Sequence, residues 1–371
     1  MRLPIQNKFL IRLLMAINFV LILSLLLAYL APYISPAIFW PVAFFGLGFP
    51  IIVVANLAIS ILWLLLRPRY ALLSLLTLLA GINPLSRQWQ WNNKSKQNAQ
   101  NSITVVSFNV HDFSGLEDGA QDTFIRKEIF KFLRNTKSQI ICLQDMPSYL
   151  AHRSLVLPEL AHDLGMKYFF AQSLNPNRRH RFSNTSLITA FPLVDSGELF
   201  EEGVSFAIYA DMIISNDTVR VYSVHLASTK LYDAKELLTT QGIAESGKRG
   251  IPRRIFHLIK SLKSAFISRA TQSDILSNSI SKSPYPVIVC GDHNDTPLSY
   301  TVHTIRHGLT DSFVSRGQGF GRTYGESSFP LRIDYVMASP CFVFEEHKTI
   351  YTNLSDHLPV VVKISRRIGG N

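Results

Sequence analysis

Hydrophobic and polar positions divide the chain into two unlike regions. Residues 13–66 form an unbroken run of 54 positions without a formal charge, with neither the alternation of a half-buried strand nor the spacing of an amphipathic helix. Two membrane-spanning helices of about 20 residues each fit into such a run, with a turn to spare. Pro32, Ser35 and Pro36 mark the turn, so spans over 13–31 and 37–66 are expected, the second kinked or tilted around Pro41 and Pro50. A further uncharged stretch, 70–86, is 17 residues long, at the lower limit for a third span. Arg2, Lys8 and Arg12 precede the first span, and Arg67 and Arg69 follow the second, which puts both flanks in the cytoplasm. Three spans of an inner-membrane protein then carry everything beyond Ser86 to the outer, periplasmic face, whereas two leave it in the cytoplasm. A signal peptide cleaved near Ala31 is the rival reading, but the apolar stretches that follow would still hold the product in the membrane.

From residue 103 onward the pattern changes to short β-like runs alternating with helical periodicity. Strands are expected at 103–110, 139–143, 185–190, 205–213, 219–226, 286–290, 332–337 and 359–364. Helices are expected at 122–134, where Phe124, Ile125, Ile129, Phe132 and Leu133 share a face, and at 255–267, where Ile255, Leu258, Ile259, Leu262 and Phe266 do. This order predicts a layered α/β or α+β domain over 103–367. It follows a transmembrane anchor over 1–86 and a polar, Asn/Gln/Ser-rich linker over 87–102.

Charge narrows the picture further. With 47% hydrophobic and 17% charged residues, the 371-residue chain is not a disordered one. Its net +11 is concentrated at the start: the first hundred residues carry +8 and no acid, the remainder only +3. A near-neutral folded domain gives little field for duplex DNA. Basic residues gather between Lys248 and Arg269, as either a solvated helix face or a surface against anionic lipid headgroups. Cys142, Cys290 and Cys341 show no metal-type spacing, and their odd number argues against a disulfide framework.

The candidate chemistry lies where strands end in polar residues. Asn109 closes the first, Asp145 follows Leu143-Gln144, and His225 follows Val224. Asp292 and Asn294 follow the Pro286–Cys290 run, Asp334 sits in Arg332-Ile333-Asp334-Tyr335, and Asp356-His357 precede the last strand. Singly, each has an ordinary reading: Asn109 a turn cap, Asp145 a helix cap, His225 a satisfied core histidine, Asp356 turn chemistry. Asp292 and Asn294 stand apart, because period-two spacing turns both to one side and His293 to the other. Together, carboxylates, amides and imidazoles at several strand ends converge readily on one cleft. Oxygen ligands of the Asp145 and Asn109 type suit Mg²⁺ or Mn²⁺ better than zinc.

Asn109, Leu143-Gln144-Asp145, Gly291-Asp292-His293-Asn294, Ile333-Asp334-Tyr335 and Ser355-Asp356-His357-Leu358-Pro359 resemble, in the same order, the signatures of the endonuclease/exonuclease/phosphatase (DNase I-like) superfamily. Asp295-Thr296-Pro297 and Arg322-Thr323-Tyr324 extend the resemblance more loosely. It covers essentially all of 103–367 and is closest to the membrane-anchored members found in Bacteroidetes-type bacteria. The resemblance implies a four-layer sandwich, two mainly antiparallel sheets flanked by helices, with the site at one end. It also implies roles: Asp145, Asn109 and Asp356 at the metal, Asp292 activating water, and Asn294 positioning the phosphate. His357 becomes a donor to phosphate oxygens held protonated by Asp334, and His225 a second phosphate or leaving-group contact. The expected substrate is a phosphate ester of a lipid, nucleotide or nucleic acid, and the expected neighbour is the bilayer. Two positions depart from the pattern: Asp145 stands where the family usually has Glu, and His293 where it commonly has Phe, which we read as packing. A membrane scaffold with the fold but no turnover is the alternative reading, against which the joint presence of Asp292, Asn294, Asp334 and His357 argues.

Overall fold

The computed structural model describes residues 7–91, 102–114, 122–147, 156–173, 183–228, 240–327 and 329–367. The chain divides into two compact units, Met1–Gln88 with Ser228–Ala270 and Asp295–Thr304, and Trp89–Ala227 with Thr271–Asn294 and Ile305–Asn371.

In the first unit, Asn7 caps α1 (Lys8–Leu30), its Oδ1 accepting from the Phe9 and Leu10 amides. Pro32 sits in the tight turn that follows. The chain continues through α2 (Pro36–Phe39), α3 (Pro41–Leu47), α4 (Phe49–Leu66), α5 (Pro68–Ala80) and α6 (Ile82–Ser86). The stretch expected as one span over 37–66 is therefore three helices. Pro41 and Pro50 lie in the first turns of α3 and α4, where the missing N–H costs nothing, and so they start helices instead of kinking one. The stretch expected as a third span begins at Pro68, and α5 has only 13 residues, about 20 Å of helix against a hydrocarbon core of about 30 Å. Two helices, α1 with its following turn and α4, are long and apolar enough to cross a membrane, as are some signal sequences and core helices of soluble proteins.

These helices bury polar side chains alongside apolar ones such as Leu25, Phe49 and Trp63, and leave many other apolar side chains exposed. Their buried positions include Asn18, Asn56, Ser60, Ser74 and Thr77, while Phe9, Val20, Val54, Leu57 and Leu64 are exposed. The Ser74 hydroxyl donates to Asn18 Oδ1 at 2.6 Å and the Asn56 amide to the Leu21 carbonyl at 3.0 Å, so polar groups tie the helices together. Of the expected basic cluster, Lys263 lies over the Trp40 ring and Arg269 pairs with Asp295. Residues 248–254 lie in a helix whose side chains fall outside the described set.

The second unit runs through β1 (Gln90–Trp91), β2 (Ile103–Asn109), α7 (Asp122–Thr136), β3 (Ile140–Pro147), α8 (Val156–Asp163), β4 (Tyr168–Ala171), β5 (Ser183–Thr189), β6 (Leu193–Glu201), β7 (Val204–Ile214) and β8 (Asp217–His225). After α9 (Thr240–Ser281), which belongs to the first unit as far as Ala270, come β9 (Val287–Asp292), α10 (Tyr300–Ile305), again of the first unit as far as Thr304, then β10 (Thr310–Asp311), α11 (Ser312–Arg316), β11 (Gln318–Gly319), β12 (Asp334–Ala338), β13 (Phe342–Thr349) and β14 (Val360–Arg366). One six-stranded sheet has the order β13-β14-β2-β3-β5-β4, the other β10-β12-β9-β8-β7-β6. Only β2/β3 and β8/β9 pair in parallel among these strands. Their inner faces share one core, in which Val105, Ile140, Cys142 and Leu187 of the first sheet meet Ile208, Val221, Ile288 and Cys290 of the second. Val106, Phe108, Ile141 and Leu143 point the other way and pack with Ile129, Leu133 and Leu160 of α7 and α8. On the outer face of the second sheet, the Tyr222 hydroxyl meets the Ser279 hydroxyl of α9 at 2.9 Å. The expected sandwich of two mainly antiparallel sheets flanked by helices is present. Within the expected polar linker, Gln90–Trp91 pair with Gln318–Gly319, and 92–101 lie outside the described residues.

Candidate active site

Parallel neighbours end side by side, and an antiparallel neighbour begins where its partner ends. This simple geometry gathers the polar strand ends. The β2/β3 register sets Asn109 opposite Gln144, next to Asp145, and the β8/β9 register sets His225 opposite Asp292. Antiparallel β12 begins at Asp334, directly across from Asp292, and His357 precedes β14, which runs antiparallel to β2.

Local backbone choices complete the approach. Gly291 has φ +145, and a Cβ there would lie 2.0 Å from the Val224 carbonyl oxygen, so only glycine lets β8 and β9 run this close. Asp145 has φ 48 beside a bulge between Leu143 and Met146, which takes it out of the strand alternation. Asn294, with φ 51, folds back so that its amide N–H donates to Asp292 Oδ1 at 2.8 Å. Non-glycine residues in the left-handed region each cost about 1–3 kcal/mol and collect at functional sites.

Asp292, 1% exposed, is the centre. Its Oδ2 accepts from Asn109 Nδ2 at 3.1 Å and Asn294 Nδ2 at 3.2 Å, and lies 3.6 Å from His357 Nε2 and 3.7 Å from His225 Nε2. His357 Nδ1 is 3.0 Å from Asp334 Oδ2. Asp145 is reached from two sides, by Asn109 Nδ2 at 3.4 Å and His225 Nδ1 at 3.5 Å. Asp356 faces elsewhere: it lies 3.5 Å from His111 Nδ1 and accepts from the Ser355 hydroxyl, which also donates to the Asn109 carbonyl. The structure thus joins Asp145, Asn109, His225, Asp292, Asn294, His357 and Asp334 in one contact chain and sets Asp356 beyond Asn109. Asn294, expected at the phosphate, spends its amide on Asp292 and on the Leu226 carbonyl.

Burial and charge shift two of these groups strongly. Burial pushes the Asp292 carboxyl up to about 6, and the Asp334 charge adds to it, while His357 and His225 pull the other way. Burial opposes a charge on His357, but Asp334 and Asp292 outweigh it and raise the imidazole to about 10. His293 is fully buried, its Nδ1 is 3.1 Å from the Gly291 carbonyl, its ring meets Tyr335 edge-on, and burial lowers it to about 4. That is a packed histidine.

The donor set fits a divalent cation. The oxygens of Asp145 are engaged only at 3.4 and 3.5 Å, long for hydrogen bonds, and the side chain is 27% exposed, so a hard oxygen ligand is left under-satisfied at the edge of the site. Deeper in, Asp292, Asp334 and His357 offer ligand atoms within 4.8 Å of one another, and Asp334 Oδ1 is buried without a hydrogen-bond partner.

Two residues at this end were given no role by the sequence reading, although Thr323 stands in one of the looser motifs. His111 stands in a turn in which it, Asp112 and Phe113 all have positive φ, and its amide donates to Asn109 Oδ1. The signal was a second polar residue just past a strand end. Thr323 accepts through its hydroxyl from both the Ile333 and Asp334 amides at 2.9 and 3.0 Å and so pins the start of β12.

Comparison with known proteins bears on the same residues. Positions 106–357 match the Endonuclease/Exonuclease/phosphatase family, and 10–88 match a domain of unknown function. The fold resembles an endonuclease/exonuclease/phosphatase from Beutenbergia cavernae (16% identity, 72% of each chain, TM-score 0.50). It also resembles the human Nocturnin catalytic domain (18%, 72% of this chain and 95% of that one, 0.51) and humanized D. rerio TDP2 (14%, 71% and 99%, 0.51). No curated protein matches the chain.

Proposed function

The chain belongs to the endonuclease/exonuclease/phosphatase family, and from that premise we propose that it is a membrane-anchored phosphoesterase that hydrolyses a phosphodiester or phosphomonoester with an activated water. The family is one of phosphoesterases, which supports a hydrolase. The observation that carries the reading is the Asp292 carboxylate, buried yet touched on one oxygen by two amides and approached there by two imidazoles. A base near 6 is ionised at neutral pH and still basic enough to take a proton from water. The water oxygen bonds to phosphorus, Asp292 takes its proton, and the ester P–O bond breaks to release an alkoxide, which takes a proton from solvent to leave as the alcohol. His357, kept cationic by Asp334, donates to the phosphoryl oxygens as their charge grows, and His225 contacts the phosphate or the leaving group. Asn109 and Asn294 hold Asp292 in place for this work. Asp145, with Asn109 beside it, would hold a divalent cation, Mg²⁺ or Mn²⁺, whereas Asp356, turned to His111, would not. Such an ion, when bound, neutralises charge on the phosphoryl group.

Anchoring through α1 and α4 rests on their length and on their exposed apolar side chains, since only 22% and 33% of the two windows are buried in the chain itself. Outer-face placement of the sandwich requires the 13 residues of α5 and the 5 of α6 to cross as one broken span around Gly81. Protease protection of the sandwich in intact spheroplasts would overturn that placement. The chemistry is tested with the full chain in detergent, Mg²⁺ or Mn²⁺, and bis(p-nitrophenyl) phosphate, DNA, sphingomyelin and phosphoinositides as substrates. Turnover abolished by EDTA and by Asp292→Asn or His357→Ala supports the reading. No turnover on any of them, or full turnover in both variants, overturns it.

A further inference from the structure

Directly after Asp145 the chain enters the wall of a second feature. Met146 and Pro147, at the end of β3, line a cavity of about 280 Å³ together with Leu157 and Pro158 of α8 and Phe169 and Phe170 of β4. The cavity is almost wholly apolar. Its few polar neighbours are already engaged: the Gln172 amide donates to the Ser205 carbonyl at 2.8 Å and its Oε1 accepts from the Thr185 amide, while the Ser186 hydroxyl faces Met146 Sδ at 3.2 Å. Asn184 is likewise partnered. A nucleobase needs donors and acceptors along its edge, and among the described residues this wall offers few. A hydrocarbon group needs only area removed from water, at about fourfold in affinity per buried methylene.

We infer that this cavity holds the apolar part of an amphiphilic phosphate ester whose phosphoryl group lies at Asp292, so that the substrate class is lipid-like. The inference rests on the phosphoesterase reading. It also accounts for a catalytic unit carried on a chain with two helices apolar enough to enter a bilayer, where such esters are concentrated.

The test is a series of alkyl 4-nitrophenyl phosphates (methyl, butyl, hexyl, octyl), hydrolysed by the full chain in detergent below the aggregation limit of each ester. Ala171→Phe fills the cavity from β4, with Ala171→Leu as the milder version should the larger ring disturb folding. The wild-type kcat/KM should rise by about fifteenfold per pair of buried methylenes, through KM, and level off as the cavity fills. Both variants should flatten the rise and leave the methyl ester unchanged. A flat wild-type series with good turnover of the methyl ester overturns the cavity assignment and spares the phosphoesterase. A rise that persists in the variants comes from partition into micelles and overturns it too. No turnover of any ester overturns the proposed function instead. Binding of hexyl phosphate, read by thermal shift, then judges the cavity alone, and equal binding by wild type and Ala171→Phe sinks it.

Discussion

The helical unit and the sandwich both bury apolar side chains, but they differ in how much apolar surface they leave outside and in what their buried polar groups touch. In the sandwich, Val105, Ile141, Val221 and Val289 are fully buried, as in any protein folded in water. In the helices the fully or nearly fully buried positions include Asn56, Ser60 and Ser74, and Leu57, Leu64 and Val54 face outward. On the proposed anchoring, hydrocarbon around these helices would remove the incentive to hide leucine, and inward polar groups would act as cross-links. The sandwich has buried polar groups as well: some pair within the sheets, as Asp211 does with Arg220, and one set gathers at the strand ends around Asp292. That gathered set has no counterpart among the described residues of the helical unit.

The largest effect that tests this division is on catalysis. Asp292→Asn should lower kcat/KM by about a thousandfold, the range expected for loss of a general base, while Asn18→Ala in the helices leaves it unchanged. Equal effects of the two would erase the distinction. Next comes solvent. Leu57→Arg should cost about 3 kcal/mol of membrane insertion, seen as loss from the carbonate-resistant fraction, whereas Val194→Arg, at an equally exposed site on β6, should stay within about 0.5 kcal/mol in a melting curve.

The third effect sharpens the chemistry. Asp292 acts ionised and His357 acts protonated, so kcat/KM should climb as Asp292 loses its proton near 6 and decline as His357 loses its own near 10. Asp334→Asn removes the charge that raises His357 and should move the alkaline limb to lower pH while leaving an active enzyme. An unmoved limb would assign it to another group. The smallest effect is Ser74→Ala, which frees Asn18 Oδ1 and should weaken helix packing by about 0.6 kcal/mol in an unfolding assay, with kcat intact.

The eight strands expected from the pattern all form, with ends displaced by a few residues. The long strands that were missed, β4, β6 and β13, lie at the edges of the two sheets. Edge strands are satisfied from one side only and carry partly exposed residues such as Glu198 or Glu345, so they are made strands by the neighbour's hydrogen bonds more than by their own composition. The stretch 37–66, expected as one span kinked or tilted at Pro41 and Pro50, is divided there because each proline starts a helix, and Pro68 starts the helix that covers most of 70–86. Among the candidate site residues, those at strand ends were legible as polar breaks in apolar runs. His111 and Thr323 were not, since each matters through a turn or a backbone amide contributed by a distant segment.

From its residues alone this protein specified which positions are apolar, which strands end in carboxylates, amides or imidazoles, and that its first hundred residues suit a bilayer. These follow from period and composition, which are local properties. Only the tertiary structure decided that Asp334 stands across from Asp292 and against His357, that Asp356 faces His111, and that an apolar cavity opens just past Asp145. Each depends on register and on loop closure between segments far apart in the chain, and no local pattern carries that information.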